Sequence, residues 1–175
     1  DYMWVSFGIA LAAMILQFLI AIPLGILSAT HQYSPLDYGV SVFTMIGISL
    51  PSFFLATLLI KVFVYELGWI PSIGMVDPGA SYTGLAYIGD VLLHCILPVA
   101  TLVIINVGSL MRYSRTNTLE VLNADYVRTA RAKGLSEHTV IYKHVFRNTM
   151  IPIVTMLAGT LPGLFGGAMI TEQVF

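Results

Sequence analysis

From Tyr2 to Leu36 the chain contains no Asp, Glu, Lys or Arg, and the same holds for Tyr38 to Ile60, Val91 to Met111 and Asn148 to Thr171. Charge-free stretches of this length restrict the fold more than any motif in the chain. A helix on the surface of a soluble domain keeps a polar face. A bilayer core of about 30 Å instead needs about 20 apolar helical residues to cross it, and it leaves no partner for unpaired backbone facing lipid. Four spans are expected, at about 4–30, 38–60, 91–111 and 150–170. The expected fold is an all-α integral membrane protein, one unit over residues 1–175. The composition agrees, with 10% charged residues against about 25% in ordinary soluble domains.

The net charge of −1 hides an asymmetry. Seven of the eight Lys and Arg residues lie between Arg112 and Arg147, with three acids, Glu120, Asp125 and Glu137. That interval is therefore net +4 (7 minus 3) and the remainder net −5. Loops rich in Lys and Arg stay on the cytoplasmic side, so the loop 112–148 is expected inside the cell. The segment HQYSPLD, 31–37, then becomes a tight cytoplasmic turn broken at Pro35. The connection from Lys61 to Asp90 becomes external and acidic, with a short interfacial helix around Lys61 to Trp69. The abrupt start at Asp1 and the stop at Phe175 predict a piece of a longer protein. Cys95, the single cysteine, has no internal disulfide partner and reads as a small buried hydrophobe.

The loop 112–148 mixes apolar residues with its charges and does not read as disorder. Thr116 or Asn117 is expected to cap a helix with apolar positions Leu119, Leu122, Tyr126, Val127 and Ala130. Gly134 suits the left-handed position after its end, with Arg128, Arg131 and Lys133 in the last turns, where cations complement the helix dipole. Ser136 is the expected N-cap of a second helix, Glu137 to Asn148, with Val140, Ile141 and Val145 as its apolar stripe. Two roles fit this pattern. The charges can be topological anchors that meet lipid headgroups, or the helix ending at Gly134 can project as a docking element for a cytoplasmic partner.

The stretch DYVRTARAKGLSEHTVIYKHVFRNTMIPIVT resembles the cytoplasmic loop of binding-protein-dependent ABC transporter permeases of the dipeptide, oligopeptide and nickel group. The matching residues are Asp125 to Ser136 with Arg147, Asn148, Ile151 and Pro152. IPLGILSA, SLPSFFLA, LGWIPSIG, HCILPVATL and GGAMITEQVF follow that group's framework in order, so the resemblance covers nearly the whole chain. It implies a type I importer permease bundle, with the loop as the "EAA" element whose short coupling helix docks on an ATP-binding subunit. Aligned on Gly134, the three consensus letters fall on Arg128, Thr129 and Ala130, and only the second Ala is kept; the downstream Pro152 also lies further off. The carry-over is therefore limited to Ala130, Gly134 and their flank, giving Asp125, Arg128, Thr129, Ala130, Arg131, Ala132, Lys133, Gly134 and Leu135 as expected coupling residues. The resemblance further implies a second permease subunit, as a heterodimer, two cytoplasmic ATPase subunits holding ATP and Mg, and an external substrate-binding protein. It implies a bacterial or archaeal plasma membrane, and di- or oligopeptides as cargo, with nickel or another small solute as the alternative.

The residues point to no chemistry of their own. No GxxxxGK[ST], HExxH, CxxC or GxSxG occurs, so no catalytic residue, bound cofactor, metal or nucleic-acid partner is expected. Two rival classes remain: an ATP-independent channel or secondary carrier, which would call for an ion-coupling acid or a broken polar helix at mid-membrane, and a membrane enzyme, which would need a catalytic cluster at one interface. Gly159, Gly163 and Gly167 recur at four-residue spacing on one face, where they can bring helices close or line a path, and Pro162 can bend the helix there. Asn106 lies at mid-depth and could line the path. Thr155, Thr160 and Ser109 read as satisfied by backbone carbonyls one turn back. His94 with Asp90 reads as an interfacial cap, with a metal or substrate-path role as the alternative.

Overall fold

The computed structural model describes residues 2–71, 74–76, 83–166 and 174–175, and every regular element among them is helical. The longest are α1 (Tyr2–Thr30) and α4 (Leu85–Leu122), both long and apolar enough to cross a membrane. They pack together through Ala13 and Ala21 of α1 and Val103, Val107, Leu110 and Met111 of α4, with Phe18, Leu24, Val40 and Met156 closing the edges. With only lipid-like residues to exclude, such a core gains mainly from close van der Waals contact.

That contact is made by glycines. A Cβ on Gly25 of α1 would lie 2.7 Å from Ser114 Cβ and 2.8 Å from the Met111 carbonyl oxygen. Between α2 (Pro35–Ser49) and α4 the arrangement is reciprocal: a Cβ on Gly47 would meet the Ile104 carbonyl oxygen at 2.9 Å, and one on Gly108 would meet the Thr44 carbonyl oxygen at 2.9 Å. Helix α4 is therefore a spine that holds α1 and α2 at backbone contact.

Four expectations need correction. The second span is not a straight helix over 38–60: α2 ends at Ser49, α3 (Ser52–Ile60) begins after Pro51, and the two are bent by 99°. Proline pushes the residue before it out of the helical region, and Leu50 sits extended at φ −89°, ψ 129°. The helix expected around Lys61 to Trp69 is a widened π-helical continuation of α3, Lys61–Glu66.

The third helical segment does not end near Met111, and neither Thr116 nor Asn117 starts a new helix. Helix α4 runs unbroken to Leu122, and at 38 residues it is roughly 57 Å long, well beyond a bilayer core. Polar side chains in its last turns are buried rather than capping a new helix: Ser114 Oγ donates to the Ile22 carbonyl of α1, and Thr118 Oγ1 donates to the Ser114 carbonyl of its own helix. The break comes at Asn123 and Ala124, ahead of α5 (Asp125–Ala132).

The second loop helix does not stop at Asn148. A short α6 (Glu137–Thr139), a π-helical stretch Val140–Val145, α7 (Phe146–Thr160) and a 3-10 turn Leu161–Gly166 form one continuous helical path into the fourth expected span. Its further course, with Gly167, lies outside the described residues. Last, among the described residues a Cβ on Gly159 or Gly163 would meet nothing within 4 Å, so close helix packing at these two is not seen within the described chain, and the alternative of lining a path stands untouched. Asn106, a candidate for lining the path, is exposed, and its Nδ2 donates to the Leu102 carbonyl at 2.8 Å.

Candidate functional site

Helix α5 starts with Asp125 in its first turn, where an acid favours the dipole, and ends with Arg131 in its last. At its C-terminus Gly134 has φ +80°, Gly134 N–H donates to the Arg131 carbonyl at 2.9 Å and Leu135 N–H to the Ala130 carbonyl at 3.4 Å. These two bonds are the pair that closes a helix over a left-handed residue. Since nothing lies within 4 Å of a Cβ placed on Gly134, the glycine is required by its backbone angle and not by crowding. Ser136 then caps the next turn, its Oγ accepting from Thr139 N–H at 3.4 Å.

One face of α5 is sealed. Val127 and Ala130 are buried against Val140 and Val145, with Val121 and Leu122 at the edge. The opposite face carries Asp125, Arg128, Thr129, Arg131, Ala132, Lys133, Gly134 and Leu135, all exposed. Of the nine expected coupling residues only Ala130 points inward. Arg131 is committed: its Nε and Nη2 donate to the Glu137 carboxylate at 2.8 and 3.3 Å, a fork across the Gly134 turn. Arg128 and Lys133 form no ion pair among the described residues.

A second polar centre lies where the turn between α1 and α2 meets α4. Asp37 is buried and accepts four bonds: from Ser28 Oγ, from Tyr33 N–H at 3.0 Å, and from Arg115 Nε and Nη2 at 2.7 and 2.8 Å. Ser34 caps α2 by accepting from Asp37 N–H, and Tyr33 takes a left-handed φ of +64°, rare for a side chain of its size. The sequence reading missed this centre. The available signal was an isolated acid beside the charge-free runs, on the side crowded with cations, but nothing selected Arg115 among them.

At the opposite end of the bundle, His94 is buried on α4, with Nδ1 2.8 Å from the Asp90 carbonyl and 3.5 Å from its carboxylate. Among the described residues its Nε2 has no hydrogen-bond partner. No group of three His, Cys, Asp or Glu able to hold a metal ion occurs among the described residues. Thr155 and Thr160 donate to the Ile151 and Leu157 carbonyls, as hydroxyls in an apolar helix do.

Comparison with known proteins places this architecture. The chain is 40% identical to the oligopeptide transport system permease protein AppB of Bacillus subtilis, over 94% of its own length and 51% of the relative's. It is 36% identical to the dipeptide transport system permease protein DppB of Alkalihalophilus pseudofirmus, over 99% of its length and 56% of the relative's. The chain thus spans about half the length of the relatives it matches. Residues 21–175 match the model of the binding-protein-dependent transport system inner membrane component, and the chain belongs to that family of membrane-embedded, all-helical proteins.

Proposed function

We propose that the chain forms part of the translocation subunit of an ATP-driven importer for di- or oligopeptides, non-catalytic itself and driven by separate ATPase subunits that hold ATP and Mg. The observation that carries this reading is α5, a short amphipathic helix sealed on one face, charged on the other and terminated at Gly134, in a chain whose relatives are named as peptide permeases. The basic end of the bundle then faces the cytoplasm. The exposed face of α5, from Asp125 to Leu135, meets an ATPase subunit, a second permease subunit completes the path, and an external binding protein delivers the peptide.

In this mechanism the chain's work is mechanical. ATP closes the ATPase pair and displaces α5. Because α5 is seated on Val121 and Leu122 of α4 and on the helical path into α7, the displacement enters both helices and favours one of two arrangements of the bundle. The ligand shifts that equilibrium only by its differential affinity for the two states. The direct test is crosslinking in the assembled complex, with cysteine at Thr129, Leu135 or His31. Adducts to the ATPase from Thr129 and Leu135 are expected. Adducts from His31 alone would move the docking site away from α5 and refute the reading.

A further inference from the structure

Displacing α5 moves α4 directly, but α1 and α2 have no chain connection to the loop. They are held on α4 by the glycine contacts and, among the described residues, by one charged contact, the buried centre on Arg115, seven positions before the end of α4 at Leu122. There the Asp37 carboxylate gathers donors from three segments, Ser28 at the end of α1, Tyr33 in the turn and Arg115 on α4. The guanidinium makes a two-pronged contact, 2.7 and 2.8 Å, which fixes orientation as well as distance. One prong would allow α4 to swivel against the turn. Two prongs on a carboxylate already held by Ser28 and Tyr33 do not.

We propose that Asp37 and Arg115 are positioning residues for transport, forming a rigid joint that makes α1 and α2 move with α4 when the coupling loop is displaced. The joint stays closed through the cycle and transmits motion; it is not a latch that opens. This rests on the importer reading above, and goes beyond it by naming the residues that carry motion into the first two helices. Two features support a joint over simple packing. Asp37 is buried where three segments meet, which among the described residues share no other ion pair, and the left-handed Tyr33 N–H is turned onto the carboxylate. Asp37 is thereby given a complete set of donors in a fixed arrangement.

The experiment uses the full chain in its assembled complex in nanodiscs, with Cys95→Ala as background and Asp37→Cys/Arg115→Cys as the variant. Solute transported per ATP hydrolysed is measured before and after joining the two cysteines with a short bismaleimide. Without the bridge, transport per ATP is expected to fall about tenfold while ATP hydrolysis persists; with it, at least half of the lost ratio returns. Loss of transport on bridging would show a latch that must open and would overturn the joint. So would an unchanged ratio without the bridge, or transport and hydrolysis falling in parallel, the mark of a purely structural role. Should the double variant fail to accumulate, Arg115→Lys keeps the charge but loses the fork; a two- to threefold lower ratio is expected, and a wild-type ratio overturns the proposal. A separate crosslink from Leu135→Cys to the ATPase keeps the two readings apart. With that adduct present and the ratio unchanged only the joint fails, and without it both do.

Discussion

Two forked arginine–carboxylate pairs lie in this chain with similar geometry and opposite surroundings. Arg115 grips Asp37 at 2.7 and 2.8 Å, with 26% of one side chain and 5% of the other exposed. Arg131 grips Glu137 at 2.8 and 3.3 Å, with 41% and 62% exposed. The first joins segments 78 positions apart and the second spans six. The difference lies less in the bonds formed than in what breaking them would leave behind. An exposed charge that loses its partner returns to water, whereas a buried one stays desolvated.

The largest expected effect therefore falls on the buried fork, and it should depend on which partner is removed. Arg115→Ala leaves the Asp37 carboxylate buried with only Ser28 and Tyr33 as donors. A loss of about 3 kcal/mol is expected, the lower end of the range for breaking a buried pair, because Arg115 itself reaches some solvent. Asp37→Ala should cost less, since the guanidinium left behind can turn toward water. Unfolding of the full chain in micelles by denaturant would measure both. A cost under about 1 kcal/mol for Arg115→Ala would place the pair with surface ion pairs and remove the contrast.

The contrast extends to what could be read from the sequence. Around the exposed fork the structure is local: the Gly134 turn, the Ser136 cap and the apolar positions Val127 and Ala130 each depend on residues within a few positions, so pattern and spacing were enough to place them. Around the buried fork nothing is local. Gly25 matters because Ser114 lies against it, Gly47 because of Ile104, and Asp37 because of Arg115. A periodic stripe in the sequence pointed instead to Gly159 and Gly163, which meet nothing within 4 Å among the described residues, while the glycines at the crossings seen here recur with no period. The same limit explains Thr116 and Asn117. Polar residues that look like a helix start in isolation are carried inside α4, where neighbouring Ser114 and Thr118 are buried and Ser114 bonds to α1, a contact with a residue far off in the chain.

A middle-sized effect tests whether the packing around the buried fork is as unyielding as its charges. In Gly108→Ala the added methyl meets the Thr44 carbonyl oxygen at 2.9 Å and Ile48 Cγ1 at 3.2 Å. The side chain can turn away, but the backbone of α2 must shift, so a loss of about 1–3 kcal/mol is expected. Gly159→Ala, with nothing within 4 Å, should be neutral or gain up to about 1 kcal/mol through helix propensity. Equal losses from the two, measured in the same denaturant series, would mean that the crossing of α2 and α4 can relax and that the block is not rigid.

The smallest effect is the most diagnostic for the exposed fork. Glu137→Gln keeps the side chain's length and its place in the first turn of α6, but removes the charge facing Arg131. With both groups more than a third exposed, the pair is expected to contribute no more than about 0.5–1 kcal/mol. That contribution should fade as salt rises from 0.1 to 1 M and the screening length shortens from about 10 to about 3 Å. The Arg115–Asp37 pair, shielded by protein, should keep most of its contribution over the same range. A double-mutant cycle on each fork at both salt concentrations separates the two terms. If the exposed fork were instead insensitive to salt in micelles with no ATPase present, Arg131 and Glu137 would have to be covered by this chain itself, and that result would count against the docking assignment as well as against the contrast.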